Sequence, residues 1–354
     1  MKFVNKPDLN SIFDLDFIVL KDLLVNQYHQ PPYRAEQVWK GLYQHFYQSW
    51  EEFPNVPHDL LEKIIPNRTP YTITPNQILH SKDKQTTKVL LAYPDHSAVE
   101  AVLMRYSRRN TICISTQVGC PIGCAFCATG QMGFSRNLTS GEIVQQVLFF
   151  ARHLLFENEK ITNIVLMGMG EPFLNYENSL SAIRRLSDKN GFGIGQRHFT
   201  ISTVGIPPMM TKFADELTQI NLAISLHAAS DDLRSKLVPI NDKYPIDSII
   251  SASKYYINKT NRRISFEWVL IKGINDTDEQ IDRLCKLLKG LLCHVNLIQL
   301  NPSPQFNAVH SERKTAISIQ NKLAQHGIPS TIRLRRGIEI QAGCGQLASQ
   351  IRLE

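Results

Sequence analysis

From residue 111 onward the chain alternates short apolar strand segments with amphipathic helical ones, and this alternation restricts the fold more than any other feature. The strand segments are TICIST (111–116), TNIVLMG (162–168), HFTIST (198–203), NLAISL (221–226), ISFEWVLI (264–271) and HVNLIQL (294–300). The helices between them are apolar on one face. Ile281, Leu284, Cys285 and Leu288 recur at i, i+3, i+4 and i+7, and Gly290 closes the run. Thr139 to Glu142 has the form of a capping box ahead of Ile143, Val147 and Leu148. Repeated βα units of this kind demand a parallel sheet with helical crossovers. Six strands are too few for a closed eight-stranded barrel. The pattern predicts an α/β fold, either an open, partial barrel or a doubly wound sheet. In both, ligands gather at the C-terminal ends of the strands.

Upstream, residues 11 to about 66 read as a helical module. Val38, Trp39, Leu42 and Phe46 recur at helical spacing after Pro31 and Pro32. Asp59, Leu60, Leu61 and Ile64 begin another short helix behind Pro57. Next, TKVLLAY and SAVEAVLM flank Pro94-Asp95-His96 as a hairpin would. The second strand carries Glu100 with apolar neighbours on both faces. A strand glutamate is ordinarily a solvated edge residue; the sharper reading is a tuned acid or base. The expected division is a helical accessory domain at 1–80, a hairpin extension at 81–105 and the barrel at 106–340. A C-terminal segment at 341–354 follows.

Composition narrows the class. The chain has 354 residues, 43% of them hydrophobic and 20% charged, as a globular protein does. No apolar run approaches the roughly 18 residues of a membrane helix. The N-terminus has early aspartates and no apolar core, so no signal peptide is expected and a cytoplasmic enzyme is. The seven cysteines are odd in number and four lie between 113 and 127, which suits metal binding or catalysis in a reducing compartment rather than a disulfide framework. The net charge of +7 is compatible with a polyanionic partner such as RNA, or with a solvated basic surface. The basic residues gather at Arg105, Arg108 and Arg109, at Arg262 and Arg263, and at Arg333, Arg335 and Arg336.

Cys120, Cys124 and Cys127 follow the first strand of the βα series, spaced C-x3-C-x2-C. Three thiolates bind zinc or an iron–sulfur cluster. A structural zinc needs a fourth ligand, and no matching pair occurs elsewhere. Three thiolates on a four-iron cluster leave one iron open, and with Phe126 before the last cysteine the spacing is the radical S-adenosylmethionine signature. GMGEP (168–172) follows the second strand, where Glu171 could hold an ammonium group such as the cofactor's methionine part carries. Read alone, Cys113, Cys285, Cys293 and Cys344 are small buried hydrophobes, and His227 is a satisfied core histidine.

Longer matches then accumulate: RAEQVWKGLY, CISTQVGCPIGCAFCATGQMGFSRNLTSGEI, LMGMGEPFLN, ISTVGIPP, AISLHA, VPIND, NLIQLNP and AGCGQL. In these the chain resembles, over nearly its whole length, the RlmN/Cfr family of radical S-adenosylmethionine RNA adenine methyltransferases. The resemblance implies a partial (β/α)6-type barrel with an N-terminal helical accessory domain. It implies a [4Fe-4S] cluster on Cys120, Cys124 and Cys127, and two S-adenosylmethionine molecules per turnover. Cys344 would carry the methyl group and Cys113 would resolve the protein–RNA crosslink as a transient disulfide. Glu100 would accept the ring proton. Gly170, Glu171, Ser202, Ser225, Leu226, His227 and Asn301 would contact the cofactor. Pro172 and the full N-terminal module favour the branch that methylates adenine C2 in 23S rRNA and in a tRNA anticodon loop over the C8-methylating Cfr branch. The implied partners are those RNAs and a reductant such as flavodoxin or ferredoxin, with the protein a monomer. The alternative from another class is a non-enzymatic RNA-binding protein with structural zinc.

Overall fold

The computed structural model describes residues 11–64, 70–333 and 335–348. The first ten residues, with the stretch judged not to be a signal peptide, and residues 349–354 of the C-terminal segment lie outside the described residues.

The strands are β1 (Thr74–His80), β2 (Thr86–Ala92), β3 (Ala98–Tyr106), β4 (Arg109–Cys113), β5 (Gln117–Gly119), β6 (Phe134–Asn137), β7 (Asn163–Leu166), β8 (Phe199–Thr203), β9 (Asn221–Ser225), β10 (Ile264–Leu270), β11 (Cys293–Gln299) and β12 (Ser330–Ile332). Ten form one sheet in the order β1-β2-β3-β4-β7-β8-β9-β10-β11-β12, and β5 pairs with β6. From β4 to β12 every pairing is parallel. This order decides between the two expected architectures. A doubly wound sheet reverses direction partway, whereas here each strand adds beside the last. Right-handed crossovers then put every helix on one face, which is the winding of a barrel. The crossover helices are Ser140–Leu155, Tyr176–Leu186, Pro207–Asp215, Ile246–Thr260, Asp278–Leu288 and Arg313–Gln325. The expected capping box at Thr139 and Glu142 is present.

Alternation along the strands separates the two faces. Phe199, Ile201, Leu222, Ile224, Phe266, Trp268 and Val295 are all at most 1% exposed. The alternate positions form the other row, where Cys113, Val165, Thr200 and Asn221 are successive register partners. Glu267 pairs in register with Ser225 and Asn296. The inner face of the barrel therefore carries polar side chains among apolar ones, which a buried sheet tolerates only where a ligand, water or another side chain meets them.

Two boundaries differ from expectation. β1 lies within the stretch assigned to the helical domain and pairs antiparallel with β2, so the extension is three strands beginning at Thr74. Its exposed residues alternate too weakly to mark it as a strand. The helix begun after Pro32 stops at Tyr43, and Phe46 lies beyond it with φ +58°. The module's aromatic residues are core: Trp39, Tyr43 and Trp50 are at most 4% exposed. Arg185, on the second crossover helix, donates to the carbonyls of Phe13 and Asp14, and Gly141 N–H donates to Asp14 Oδ1 at 2.9 Å. The module is thereby fastened to the barrel's helical layer. Among the described residues no helix is long and apolar enough to cross a membrane.

Candidate active site

The three clustered cysteines hang from one loop. Gly119 ends β5 at φ +73°, and a Cβ there would stand 2.0 Å from the carbonyl oxygen of Gly133. Only glycine lets the two strands approach so closely, and Cys120 N–H donates to that same carbonyl at 2.8 Å. Phe126 packs edge-on against the His227 ring with centroids 4.9 Å apart, and Ala125 N–H donates to Leu237 O at 3.0 Å. The loop is thus held to the end of β9 and to the segment after it.

Burial pushes the Cys120 thiol up to about 12, and Cys124 well above its ordinary range; Glu171 and Cys127 raise the first further, and Cys127 and Cys120 the second. Buried thiols of this kind ionise only against a cationic centre. Three thiols on one loop are the donor type that an iron–sulfur cluster takes. The cation whose field reaches Cys124 is Arg234, which is fully buried. Its guanidinium donates to the carbonyls of Val204, Ser225 and Leu226 and to Asn241 Oδ1, and burial lowers it to about 10. It joins the ends of β8 and β9 beneath the thiols. Nothing in the sequence pattern marked it, because a lone arginine on a helix reads as surface.

The glycine turn after β7 lies against the same loop. Gly170 has φ +103°, and a Cβ on it would meet Gln117 at 2.6 Å. Glu171 is 2% exposed; its carboxylate accepts from Phe173 N–H at 2.9 Å and Val204 N–H at 2.8 Å. Burial raises it to about 7 despite those bonds. The Thr203 side chain also bonds to it, and a carboxylate has about four lone-pair sites, so one remains for a further donor. Ser202 and Ser225 face each other across β8 and β9, Oγ to Oγ 3.4 Å. Leu226 is fully buried. His227 has φ +61°, and its Nδ1 accepts from Val269 N–H at 3.1 Å. Burial drops its pKa to about 3, so the ring stays neutral with its proton on Nε2. Asn301 donates to Cys344 O at 3.1 Å and accepts from Arg335 Nε at 3.2 Å.

The C-terminal segment closes over this end of the barrel. Ala128 N–H donates to Gly345 O at 2.7 Å and Thr129 Oγ1 to Leu347 O at 2.5 Å, joining the segment to the cysteine loop. Ala348 N–H donates to Glu100 Oε2 at 2.9 Å. Glu100 is not a solvated edge residue: it is 5% exposed and paired with Lys88 at 2.8 Å. Burial raises its pKa, with Lys88 and the Ala348 N–H pulling the other way. Lys88 also donates to Gln341 O at 3.3 Å. Cys113 opposes Val102, two residues along β3 from Glu100, so the two side chains share a face. Its thiol is buried and held far up by that burial and by nearby Cys344. Cys344 is an exposed residue, but burial of its sulfur raises the thiol. All seven cysteines are free thiols, so no Cys113–Cys344 disulfide is present in this state. Arg105, by contrast, is engaged with Glu157 and Glu159.

Residues 114–287 match the radical SAM superfamily. Over 351 residues, 99% of this chain and 96% of the relative, the chain is 44% identical to a protein of Staphylococcus aureus strain JH9 described as a probable dual-specificity RNA methyltransferase RlmN. The same identity and coverage hold for the Staphylococcus aureus strain Newman protein of that description. A crystal structure of a radical SAM methyltransferase from Sphaerobacter thermophilus superposes with TM-score 0.93 at 42% identity, covering 95% of this chain and 98% of that one. Full-length identity of this degree, on the same fold and with the cysteine loop in the same superfamily match, shows that the chain belongs to the RlmN family of radical S-adenosylmethionine RNA methyltransferases.

Proposed function

We propose that the chain methylates carbon 2 of one adenine in 23S rRNA and of one adenine in a tRNA anticodon loop, with Cys344 as the methyl carrier. The observation that supports this best is the course of residues 341–348. They are bonded on one side to the cysteine loop and on the other to Glu100, with Cys344 between. Carbon 2 of adenine is electron-poor and takes no methyl group by simple displacement. Cys120, Cys124 and Cys127 would hold a [4Fe-4S] cluster with one open iron. Gly170, Glu171, Ser202, Ser225, Leu226, His227 and Asn301 would line the S-adenosylmethionine site. Together these groups supply radical chemistry and the methyl group, two cofactor molecules per turnover.

The chain's own residues do the rest. The Cys344 sulfur delivers its one-carbon unit to the ring. Glu100 takes the proton leaving carbon 2, a task for a buried carboxylate whose pKa burial raises. The Cys113 sulfur attacks that of Cys344, breaking its bond to carbon; the carbon leaves with the electron pair and takes a proton to become the methyl group, and the transient disulfide is reopened by a two-electron reductant. The division into helical accessory domain, strand extension, barrel and C-terminal segment, the cytoplasmic location, the monomeric state and a flavodoxin or ferredoxin donor belong to the same reading.

Nucleoside mass spectrometry of rRNA and tRNA from a deletion strain tests it. Loss of 2-methyladenosine from both is expected. Persistence in both overturns the reading, and loss of 8-methyladenosine alone transfers it to the Cfr-type reaction. Purified protein with one zinc and no iron or sulfide would favour the non-enzymatic alternative.

A further inference from the structure

A cavity of about 490 Å³ opens at the N-terminal mouth of the barrel, the end away from the cysteine loop. That volume is within the range of ligand pockets, about 300–1,000 Å³. Val165, the strand partner of Cys113, and Met167 line it. So do Glu267, Asn296, Arg263 and Arg333. Glu267 and Arg333 are also the charges nearest in effect to the Cys344 thiol. The cavity thus borders the strand next to Cys113, and two of its charged residues act on the Cys344 thiol.

Its wall has an unusual feature. Glu267 is 3% exposed and Asn296 8% exposed, and Asn296 Nδ2 donates to Glu267 Oε1 at 2.7 Å. Among the described residues no donor is bonded to their other oxygens, Glu267 Oε2 and Asn296 Oδ1, and both residues line the cavity. Polar groups that line a cavity are completed there by a ligand or water. Burial also raises the Glu267 pKa, with the Arg333 charge and the Asn296 bond pulling the other way. At the rim, Arg263 and Arg333 make no ion pair or side-chain hydrogen bond among the described residues, whereas neighbouring Arg262 is occupied by Gln219 and Asn221.

We infer that the target nucleotide enters through this mouth, that Glu267 and Asn296 read the N6/N7 edge of its adenine, and that Arg263 and Arg333 take the flanking phosphates. The inference rests on the proposed function. Adenine offers along that edge an N6 donor and an N7 acceptor, the complement of the Asn296 Oδ1 acceptor and a Glu267 O–H donor. Guanine offers two acceptors there and is refused. Gripping this edge leaves C2 facing away from the pair, toward the carrier thiol, and crowds C8. Extruding a base into such a pocket is the general solution for chemistry on a nucleobase.

The test uses the full chain with its cluster and a short RNA hairpin that the wild type methylates. The hairpin carries adenine, 7-deazaadenine or purine at the target position, and binding is read by fluorescence anisotropy. The wild type is expected to bind the adenine hairpin about tenfold more tightly than either analogue. Glu267→Ala should erase the discrimination against 7-deazaadenine and keep that against purine; Asn296→Ala should do the reverse. Glu267→Gln keeps a donor and an acceptor, so it should retain the preference and serves where the alanine variant fails to fold. Arg263→Ala should weaken binding of all three alike and lower the salt slope by about 0.7. A wild type that methylates the hairpin yet binds all three alike, or a Glu267→Ala enzyme that still discriminates against 7-deazaadenine, overturns the pocket and leaves the proposed function standing. A wild type that makes no methyladenine from any RNA overturns both.

Discussion

Lys88 and Glu100 form an ion pair with both side chains under a tenth exposed, and this pair sets the base that the proposed reaction needs. Two effects compete at Glu100. Burial favours the neutral acid, the Lys88 charge favours the carboxylate, and burial is the larger. Removing the cation shifts the balance further toward the acid. Lys88→Met should therefore move the acidic limb of the pH–rate profile upward, with activity depressed about tenfold at neutral pH and partly regained in alkali. Single-turnover methylation across pH reads this, and an unmoved limb would show that Lys88 does not tune the base. The pairing was legible in principle. Counting back from the Pro94–His96 turn puts Lys88 opposite Val102 and diagonal to Glu100 on one face. A lysine in a strand is ordinarily solvated, and burial on both sides of the hairpin is a fact of tertiary packing.

At the scale of elements, the cysteine loop depends on the two-stranded β5–β6 unit. Gly119 is the joint, and a methyl group there meets backbone rather than a side chain that could yield. Gly119→Ala should cost about 1–3 kcal/mol and displace Cys120. Iron and sulfide content after reconstitution should fall well below three quarters of the wild-type value. Full loading would show that the loop tolerates the change. The βα strands were legible because each combines an apolar run with a turn and a periodic helix. β1 was not, since its residues are mostly exposed and its place comes from the backbone bonds offered by β2. β12 has only three residues and is recruited by β11.

At the scale of the whole molecule, the helical module is part of the same folded unit. Phe13 packs edge-on to Tyr43 at 5.6 Å, while Gln44 and Arg152 bond across to the Asn190 and Phe46 carbonyls. Deleting residues 1–70 strips apolar cover from the crossover helices and leaves Arg185 without the Phe13 and Asp14 carbonyls. Thermal unfolding of the full chain should be one transition, and the deletion should lower its midpoint by more than about 5 °C or abolish soluble protein. A truncated chain that melts like the original would make the module an independent domain.

The sequence by itself determined the repeating βα architecture, the three-thiol loop and the glycine turn, because these are local: periodicity, capping and ligand spacing lie within a few residues. Motif resemblance added the proposed roles of Cys113, Cys344 and Glu100. Only the tertiary structure decided that the sheet winds one way as a barrel and that Arg234 lies beneath the thiols. It alone brought residues 341–348 between the cysteine loop and Glu100, and it alone opened a polar cavity onto Glu267 and Asn296. Each of those facts joins residues tens to hundreds of positions apart. The burial that raises a carboxylate or a thiol exists only once those distant segments have packed.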